Sequence, residues 1–162
     1  MFCTSFESPL GTLWLVSDGE ALTGLYFQRN KTVESASEML GTKEKQFFQN
    51  VQTQLTEYFE GKRTSFEILL KFHGTPFQQK VWQALLDIPF GETRSYSEQA
   101  EVVGCPEAIR AVGTANGLNP ISIIVPCHRV IGKNGRLTGY AGGLDMKKKL
   151  LSLEMMRNGL FV

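Results

Sequence analysis

A stretch of four residues, His73-Gly74-Thr75-Pro76, separates two parts of the chain whose residue patterns differ. Glycine interrupts regular structure, threonine can cap a helix, and proline suits the first helical position because the amide hydrogen that it lacks is not needed there. Before this stretch, short apolar runs alternate with turn residues, whereas after it most apolar residues recur at helical spacing. The sequence therefore predicts an α+β fold with a small antiparallel-sheet lobe, residues 1–73, and a mainly helical lobe, residues 74–162.

The amino-terminal lobe is predicted to be a three-stranded meander with one long helix. Its strands are apolar or β-branched runs separated by turn formers, at residues 2–6, 12–16 and 21–27. Residues 44–58 carry apolar side chains at spacings of three and four, which is typical of an amphipathic helix, and residues 66–72 could add another strand. Because the polar residues of this lobe do not group into a site, we expect it to act as a scaffold.

The carboxyl-terminal lobe contains a candidate helix-turn-helix. Ser95 and Glu98 have the spacing of a capping box, Gly104 ends the first helix, and Pro106 opens the second helix, predicted at residues 107–115. Two helices joined by so short a turn form a motif whose second helix meets a nucleic acid in some proteins. In many others the same hairpin binds nothing.

The second of these helices has a bare surface. Ile109, Val112 and Asn116 line one face, and Arg110 is its only cation. Small residues occupy most of the remaining positions: Ala111, Gly113, Thr114 and Gly117. Small side chains allow the close approach of either a neighbouring helix or a sugar-phosphate backbone, and Arg110 favours the second.

A reactive cysteine is predicted where a buried strand ends. Residues 121–125 are mostly β-branched and have a proline on each side, which indicates a short buried strand. Cys127, His128 and Arg129 follow after the second proline. A thiol near cationic groups ionises more readily, and the thiolate is the nucleophile. The alternative is a buried, inert cysteine, which is common in proteins.

The last helix supplies a candidate partner for these side chains. Met146, Leu150 and Leu153 form its predicted inward stripe, and Glu154 falls on the edge of that stripe. A partly buried carboxylate needs a partner. Two arrangements remain open: a chain in which Glu154 orients the imidazole that follows the thiol, or a structural salt bridge with Arg129.

Positive charge is concentrated in the later part of the chain. The formal net charge is +1, but residues 1–89 carry −2 and residues 90–162 carry +3. Between residues 129 and 149 a single acid, Asp145, is accompanied by six basic residues: Arg129, Lys133, Arg136, Lys147, Lys148 and Lys149. This excess favours an anionic partner, although a solvated, lysine-rich helix start gives the same pattern.

Several features exclude other classes of protein. Apolar residues make up 42% and charged residues 20% of the chain, as in ordinary globular domains, and no apolar run approaches the roughly 18 residues of a membrane span. Cys3, Cys105 and Cys127 lack the spacing of a zinc or redox motif, so we expect no metal and no cofactor. Because no export signal is visible, we expect a cytoplasmic protein.

Several short motifs of the chain occur in a characteristic order. They are Phe90-Gly91-Glu92 with Ser95-Tyr96, Arg110, Asn119-Pro120, the Ile-Val-Pro-Cys-His-Arg-Val run at residues 124–130, Tyr140-Ala141-Gly142-Gly143-Leu144, and Glu154. In this combination the chain resembles the O6-alkylguanine-DNA alkyltransferases. The resemblance is specific over residues 75–155 and looser over the amino-terminal lobe, whose counterpart in that family is ribonuclease-H-like.

The resemblance implies repair of duplex DNA that contains alkylated guanine, with the helix-turn-helix bound through the minor groove. Arg110 would occupy the space of an extruded nucleotide, and Tyr96 would crowd the adjacent phosphate. Ser97, Ala111 and Lys133 would add further contacts to DNA. The resemblance implies no obligate protein partner and no membrane, and the protein would act as a monomer.

The resemblance also implies a reaction. Cys127 as a thiolate would take the alkyl group from O6-alkylguanine, and from O4-alkylthymine, with His128 as the base through a water molecule and Glu154 holding the imidazole. Asn119 would fix the turn before the cysteine, and Tyr96 would protonate the leaving guanine or donate a hydrogen bond to it. The substrate pocket would be formed by Val130, Tyr140, Ala141 and Gly142. Because a thioether has no hydrolysable bond, each molecule would react once.

Three other functions compete with this interpretation. A non-catalytic binder of alkylated DNA would need no nucleophile, a helix-turn-helix regulator would leave the Cys127 cluster unexplained, and a cysteine hydrolase would use the same thiol.

Where some relatives of the family carry a serine, this chain has Ala141. Only a main-chain donor is therefore expected at that position.

Overall fold

The computed structural model describes residues 1–157 and divides into two compact units between Phe72 and His73. The last five residues of the predicted second lobe, 158–162, lie outside the described residues. In the first unit, three strands form an antiparallel sheet in the order β1-β2-β3: β1 (Phe2–Ser8), β2 (Gly11–Ser17) and β3 (Leu22–Tyr26). Ser8 pairs with Gly11, whose positive φ of 104° lets the chain reverse within two residues. The predicted meander is confirmed.

Two helices accompany this sheet: α1 (Lys31–Ser35), which contacts β2, and α2 (Thr42–Phe59), which contacts β1. The apolar stripe of α2 is buried, as an amphipathic helix requires, at Phe48, Val51, Leu55 and Tyr58. The predicted long helix is therefore confirmed, with its ends one or two residues further out than the periodicity indicated.

The additional strand predicted at residues 66–72 does not form. Only Leu70 makes a β-bridge, with Leu22 of β3. The backbone of Glu67 is instead hydrogen-bonded to the side chain of Gln54: its amide donates to Oε1 at 2.8 Å and its carbonyl accepts from Nε2 at 3.1 Å. The segment therefore pairs with β3 only around this bridge, through the carbonyl of Leu69 and the amide of Lys71, while a side chain of α2 takes the hydrogen bonds of Glu67.

The second unit begins with two capped helices. Thr75 and Gln78 form a capping box at the start of α3 (Pro76–Leu85), and Ser95 and Glu98 form another at the start of α4 (Tyr96–Val102). The two-residue strand β4 (Arg94–Ser95) precedes α4 directly. The capping residues predicted from the sequence are thus the ones that begin these helices.

The partner of α4 is α5 (Ile109–Gly117), which begins two residues later than predicted. The amide of Ala108 donates to the carbonyl of Cys105 at 2.8 Å, so Pro106 and Glu107 belong to a turn that precedes the helix. Because Ile109 lies at the first position of α5, it is 43% exposed rather than part of the buried face. That face consists of Val112, Ala115 and Asn116.

Polar contacts between buried groups fix α5 against its neighbours. The side chains of Gln99 in α4 and Asn116 in α5 exchange two hydrogen bonds, of 3.0 and 2.7 Å. The indole Nε1 of Trp82 in α3 donates to the carbonyl of Ala115 at 2.8 Å. Three helices are therefore joined at the carboxyl-terminal half of α5.

The buried strand predicted at residues 121–125 is wrong, although its burial is confirmed. The segment is a turn in which Ile123 has a φ of 72°, an uncommon conformation for a β-branched residue. Asn119 holds this turn, because its Oδ1 accepts from the amide of Ile121 at 3.0 Å and its Nδ2 donates to the carbonyl of Val125 at 2.8 Å. A 3-10 helix, Cys127–Arg129, follows at once.

The chain then forms the strand β5 (Val130–Ile131), which pairs in parallel with β4, and ends its described part in α6 (Leu144–Arg157). The buried face of α6 is Lys147, Leu150, Leu151 and Glu154. The predicted stripe was therefore wrong at Met146 and Leu153, which are only half-buried. Within residues 1–157, every helix falls short of the length and apolar character that crossing a membrane requires.

Candidate active site

Cys127 opens the 3-10 helix and is buried, with 6% of the residue exposed. The side-chain amide of Asn119 donates to its sulfur, Nδ2 to Sγ, at 3.2 Å. Burial raises the pKa of the thiol to about 11, and the hydrogen bond from Asn119 and the charge of Lys147 oppose this shift. The prediction that neighbouring cations make this thiol easy to ionise is therefore wrong for the resting protein, because desolvation outweighs them.

The two side chains that follow Cys127 in sequence, those of His128 and Arg129, are directed at Glu154, which is fully buried. The imidazole Nε2 of His128 lies 2.6 Å from Oε2 of Glu154, and Nε of Arg129 donates to Oε1 at 2.8 Å. A second guanidinium nitrogen, Nη2, donates to Oε2 at 3.1 Å. Both arrangements that the sequence left open are therefore present at once.

The protonation states of Glu154 and His128 depend on their burial and on their hydrogen bonds. Burial alone would raise the pKa of Glu154, but His128 and Arg129 outweigh it and hold that pKa well below its usual range. Burial lowers the pKa of His128. A neutral imidazole that donates its Nε2 hydrogen to the carboxylate has a lone pair on Nδ1. Within the described part of the chain this buried Nδ1 has no hydrogen-bond partner, so it can accept a proton.

Arg129 also anchors the 3-10 helix to the region after α3. Its Nη1 donates to the carbonyl of Ile88 at 2.6 Å, and its guanidinium lies 5.8 Å from the ring centre of Phe90. The amide of Gly91 adds a hydrogen bond to Oε1 of Glu154 at 3.3 Å. The segment of residues 88–91 therefore fixes the carboxylate that holds His128.

A cavity of about 560 Å³ adjoins α4, α5 and the loop before α6, which is a volume typical of small-molecule sites. Four of the predicted site residues line it: Tyr96, Arg110, Tyr140 and Ala141. The remaining lining residues are small or come from the exposed face of α5 and the loop: Ile109, Gly113, Thr114, Gly117, Thr138 and Gly139.

Tyr140 connects this cavity with the buried cluster. Its ring is perpendicular to the imidazole of His128, with ring centres 6.5 Å apart. Burial, and after it the proximity of Cys127, raises the pKa of Tyr140. Tyr140 therefore both lines the cavity and packs against the imidazole of the buried cluster.

Family models cover nearly the whole chain. Residues 1–72 match the ribonuclease-like domain of 6-O-methylguanine DNA methyltransferase, and residues 76–156 match the DNA binding domain of the same family. The chain belongs to the 6-O-methylguanine DNA methyltransferase family. The resemblance derived from the motifs around Cys127 is thereby confirmed.

Individual members of the family are similar over more than nine-tenths of their lengths. A methylated-DNA–protein-cysteine methyltransferase of Methanosarcina acetivorans is 50% identical over 155 residues, which are 95% of this chain and 98% of that protein. One from Mycobacterium leprae is 54% identical over 152 residues, 94% and 91% of the two chains. The crystal structure of Mycobacterium tuberculosis OGT in complex with DNA has a TM-score of 0.89 at 48% identity, covering 97% of this chain and 94% of that one.

The structure also describes the other residues that the family resemblance predicts to contact substrate or DNA. Val130 is buried in β5, and its amide donates to the carbonyl of Cys127. Gly142 is half-buried in the loop before α6, and the hydroxyl of Ser97 lies 3.0 Å from that of Ser95. Ala111 and Lys133 are exposed. Ala111 also lines a second cavity with Arg110.

Two residues at this site of the family fold were missed by the sequence analysis. Lys147, for which the sequence left open an anionic partner or a solvated helix start, has no exposed surface, and its Nζ donates to the carbonyl of Thr138 at 2.8 Å. The spacing of Lys147 from Leu150 and Glu154, three and seven residues, is that of one helix face and could have revealed it. Thr138 carries no comparable signal.

Proposed function

We propose that this protein repairs duplex DNA by direct, irreversible transfer of the alkyl group of O6-alkylguanine to its own Cys127. The observation that carries the proposal is the position of this thiol, which directly precedes the buried imidazole that Glu154 orients. The other two cysteines have different surroundings. Cys3 is buried in the first unit beside the carbonyl of Val33, and Cys105 lies in the turn before α5.

In the proposed reaction, His128 is the base and Cys127 the nucleophile. With a pKa of about 11, roughly one thiol in ten thousand is ionised at pH 7, so proton removal has to be coupled to the attack. Nδ1 of His128 takes the thiol proton through a water molecule, and the carboxylate of Glu154 stabilises the imidazolium. Asn119 donates a hydrogen bond to the sulfur as its charge develops.

The transfer itself is a substitution at the alkyl carbon. The sulfur attacks in line with the bond to oxygen, a carbon–sulfur bond forms, and the carbon–oxygen bond breaks with its electron pair on the guanine oxygen. Tyr96 donates its phenolic proton to the leaving guanine and is reprotonated from solvent, to which His128 releases the thiol proton. The product is a thioether, which has no hydrolysable bond, so the protein reacts once.

The substrate base is proposed to enter the 560 Å³ cavity. Tyr140 forms its wall towards His128, and the Ala141 amide faces the alkylated oxygen. The carbonyls of Cys127 and Val130 accept from the exocyclic amino group, and Gly142 completes the pocket. O4-alkylthymine presents an alkylated oxygen in the same chemical setting, so the same pocket is proposed to take it.

DNA is proposed to bind through its minor groove, as a duplex, to α5. This helix exposes Arg110, Ala111 and Thr114, and small side chains permit a groove to approach the helix closely. Arg110 occupies the space of the extruded nucleotide, Tyr96 crowds the adjacent phosphate, and Ser97 and Lys133 contact the backbone. The protein is proposed to act as a monomer with two domains, residues 1–73 and 74–162. It is proposed to act on chromosomal DNA in the cytoplasm.

Mass spectrometry of the product tests the proposal. After incubation with a duplex that contains one O6-methylguanine, we expect one methyl group per protein, on the peptide that contains Cys127. Cys105, which is more exposed, serves as an internal control and should remain unmodified, and Cys127→Ala should abolish transfer. Methylation of Cys105 or repeated turnover would contradict the proposal, and binding without any transfer would favour a non-catalytic binder of alkylated DNA.

A further inference from the structure

The most unusual side chain outside the cysteine cluster is Lys147 of α6, a lysine without exposed surface. Its Nζ donates to the carbonyl of Thr138 at 2.8 Å and to the hydroxyl oxygen of Tyr96 at 3.4 Å. The ammonium also lies 5.7 Å from the ring centre of Tyr96, within the range of a cation–π contact. Burying an ammonium against neutral groups is less favourable than burying an apolar side chain, so packing alone does not account for a lysine here.

The contacts of Lys147 determine which role the hydroxyl of Tyr96 can play. Its oxygen accepts from the ammonium and also from the hydroxyl of Thr138, at 3.0 Å. A phenol that accepts two hydrogen bonds has only its own proton left to offer. Among the described residues the acceptor of that proton is the carbonyl of Thr138, which lies 3.4 Å away and also accepts from Lys147 at 2.8 Å. A hydrogen bond of this length is weak, so a closer acceptor in the cavity can replace it. Tyr96 is therefore prepared to donate a proton into the cavity that it lines.

Lys147 also interacts electrostatically with the nucleophile. Its positive charge lowers the pKa of Cys127, and the charge of the thiolate in turn raises the pKa of Lys147. The titratable groups that face the ammonium are Tyr96 of α4 and the side chains of Cys127 and His128 in the 3-10 helix. Glu154, on the same helix as Lys147, is bound to His128 and Arg129 instead.

We propose that Lys147 is a positioning residue for alkyl transfer: it holds Tyr96 as a proton donor to the leaving guanine and places a positive charge beside the forming thiolate of Cys127. The inference rests on the proposed function and adds to it a residue that acts on both the nucleophile and the proton donor to the leaving guanine. The ammonium keeps its proton throughout the reaction. It acts through the proton of Tyr96 and the charge on sulfur.

Three variants separate this role from a structural one. Lys147→Met keeps the length of the side chain without its charge, Lys147→Arg keeps the charge, and Lys148→Met changes the exposed neighbouring lysine as a control. We expect the single-turnover rate on a duplex with O6-methylguanine to fall by about 10²-fold in Lys147→Met. Lys147→Arg should retain most of the rate, and Lys148→Met should keep the wild-type rate.

The dependence of the rate on pH gives a second, independent readout. Burial lowers the pKa of Lys147 to about 8, so the ammonium is charged below this pH and neutral above it. The wild-type rate should therefore fall as pH rises through about 8. In Lys147→Arg this fall should disappear, because a guanidinium keeps its charge in this range, and in Lys147→Met the rate should be low without such a fall.

A wild-type rate and pH profile in Lys147→Met would overturn the inference. If that variant does not fold, a wild-type profile without a fall near pH 8, or the same fall in Lys147→Arg, would overturn it as well. Failure of the proposed function would give a different result. If the function is right, every folded Lys147 variant, even a slow one, ends the reaction with one methyl group on Cys127. Absence of a methyl group on Cys127 of the wild-type protein would refute the function itself.

Discussion

At the scale of single residues, the proposed reactivity of Cys127 depends on partners that are distant in sequence. Its pKa is raised to about 11 by burial, although His128 and Arg129 follow it directly. Both side chains are bound to Glu154, 25 to 26 residues away. The sequence placed the right residue types together, but it could not tell which of them face the sulfur, because that depends on how α6 packs on the 3-10 helix.

Removing the charge of Glu154 should affect stability and reaction together. Glu154→Gln leaves the buried Arg129 without its carboxylate, which typically costs about 3–5 kcal/mol of folding free energy, and deprives the imidazolium of its counter-charge. We expect a lower urea midpoint and slower methylation of Cys127. The matched control is Glu60→Gln, which breaks the exposed pair with Lys62 and should leave both quantities nearly unchanged.

The effect of pH on this variant follows from the direction of the shift. Because the pKa of Glu154 is held low in the folded protein, the carboxylate stabilises the fold above its unfolded pKa of about 4.3. This stabilisation is lost as pH falls towards the lower, folded value. The difference in unfolding free energy between wild type and Glu154→Gln should therefore shrink below about pH 4. A difference that stays constant into acid would contradict the assigned charge.

At the scale of elements, the success of sequence-based prediction depended on whether the signal was local. Caps involve neighbouring residues, and Thr75 and Ser95 begin α3 and α4 as predicted, although the capping box was predicted for Ser95 only. The apolar residues 121–125 predicted burial correctly, but their backbone is fixed by two hydrogen bonds with the side chain of Asn119, which donates one and accepts the other. The basic cluster that contains Lys147 was compatible with an anionic partner or with a solvated helix start, and neither alternative includes the burial of Lys147, which its helical spacing from Glu154 indicated.

The orientation of α5 is expected to depend on the buried amide pair of Gln99 and Asn116. Replacing one amide by leucine leaves the other unsatisfied, at a cost of about 1–3 kcal/mol. The double variant Gln99→Leu/Asn116→Leu should cost less than the sum of the single variants, because both polar groups are then removed. Urea unfolding of all four proteins measures this coupling, with exposed Gln83→Leu as the control. If the cost of the double variant equals the sum of the two single costs, the two amides do not stabilise the fold as a pair.

At the scale of the whole molecule, a net charge of +1 provides little general attraction for DNA. The charge is distributed unequally, with −2 over residues 1–89 and +3 over residues 90–162. Affinity for DNA is therefore expected to come from a few cations of the second unit. Two of these, Arg110 and Lys133, are exposed, and the proposed binding mode gives them different tasks.

Salt dependence distinguishes these tasks. Lys133 is proposed to contact a phosphate, so Lys133→Ala should lower the slope of log affinity against log salt by about 0.9. Arg110 is proposed to enter the base stack, so Arg110→Ala should change this slope little while slowing repair of duplex DNA and sparing reaction with free O6-alkylguanine. Exposed Lys45 of the first unit provides the control, since Lys45→Ala should leave slope and rate unchanged. If Arg110→Ala slows the reaction with the free base as much as with the duplex, Arg110 acts in the chemistry of the pocket and not in opening the helix.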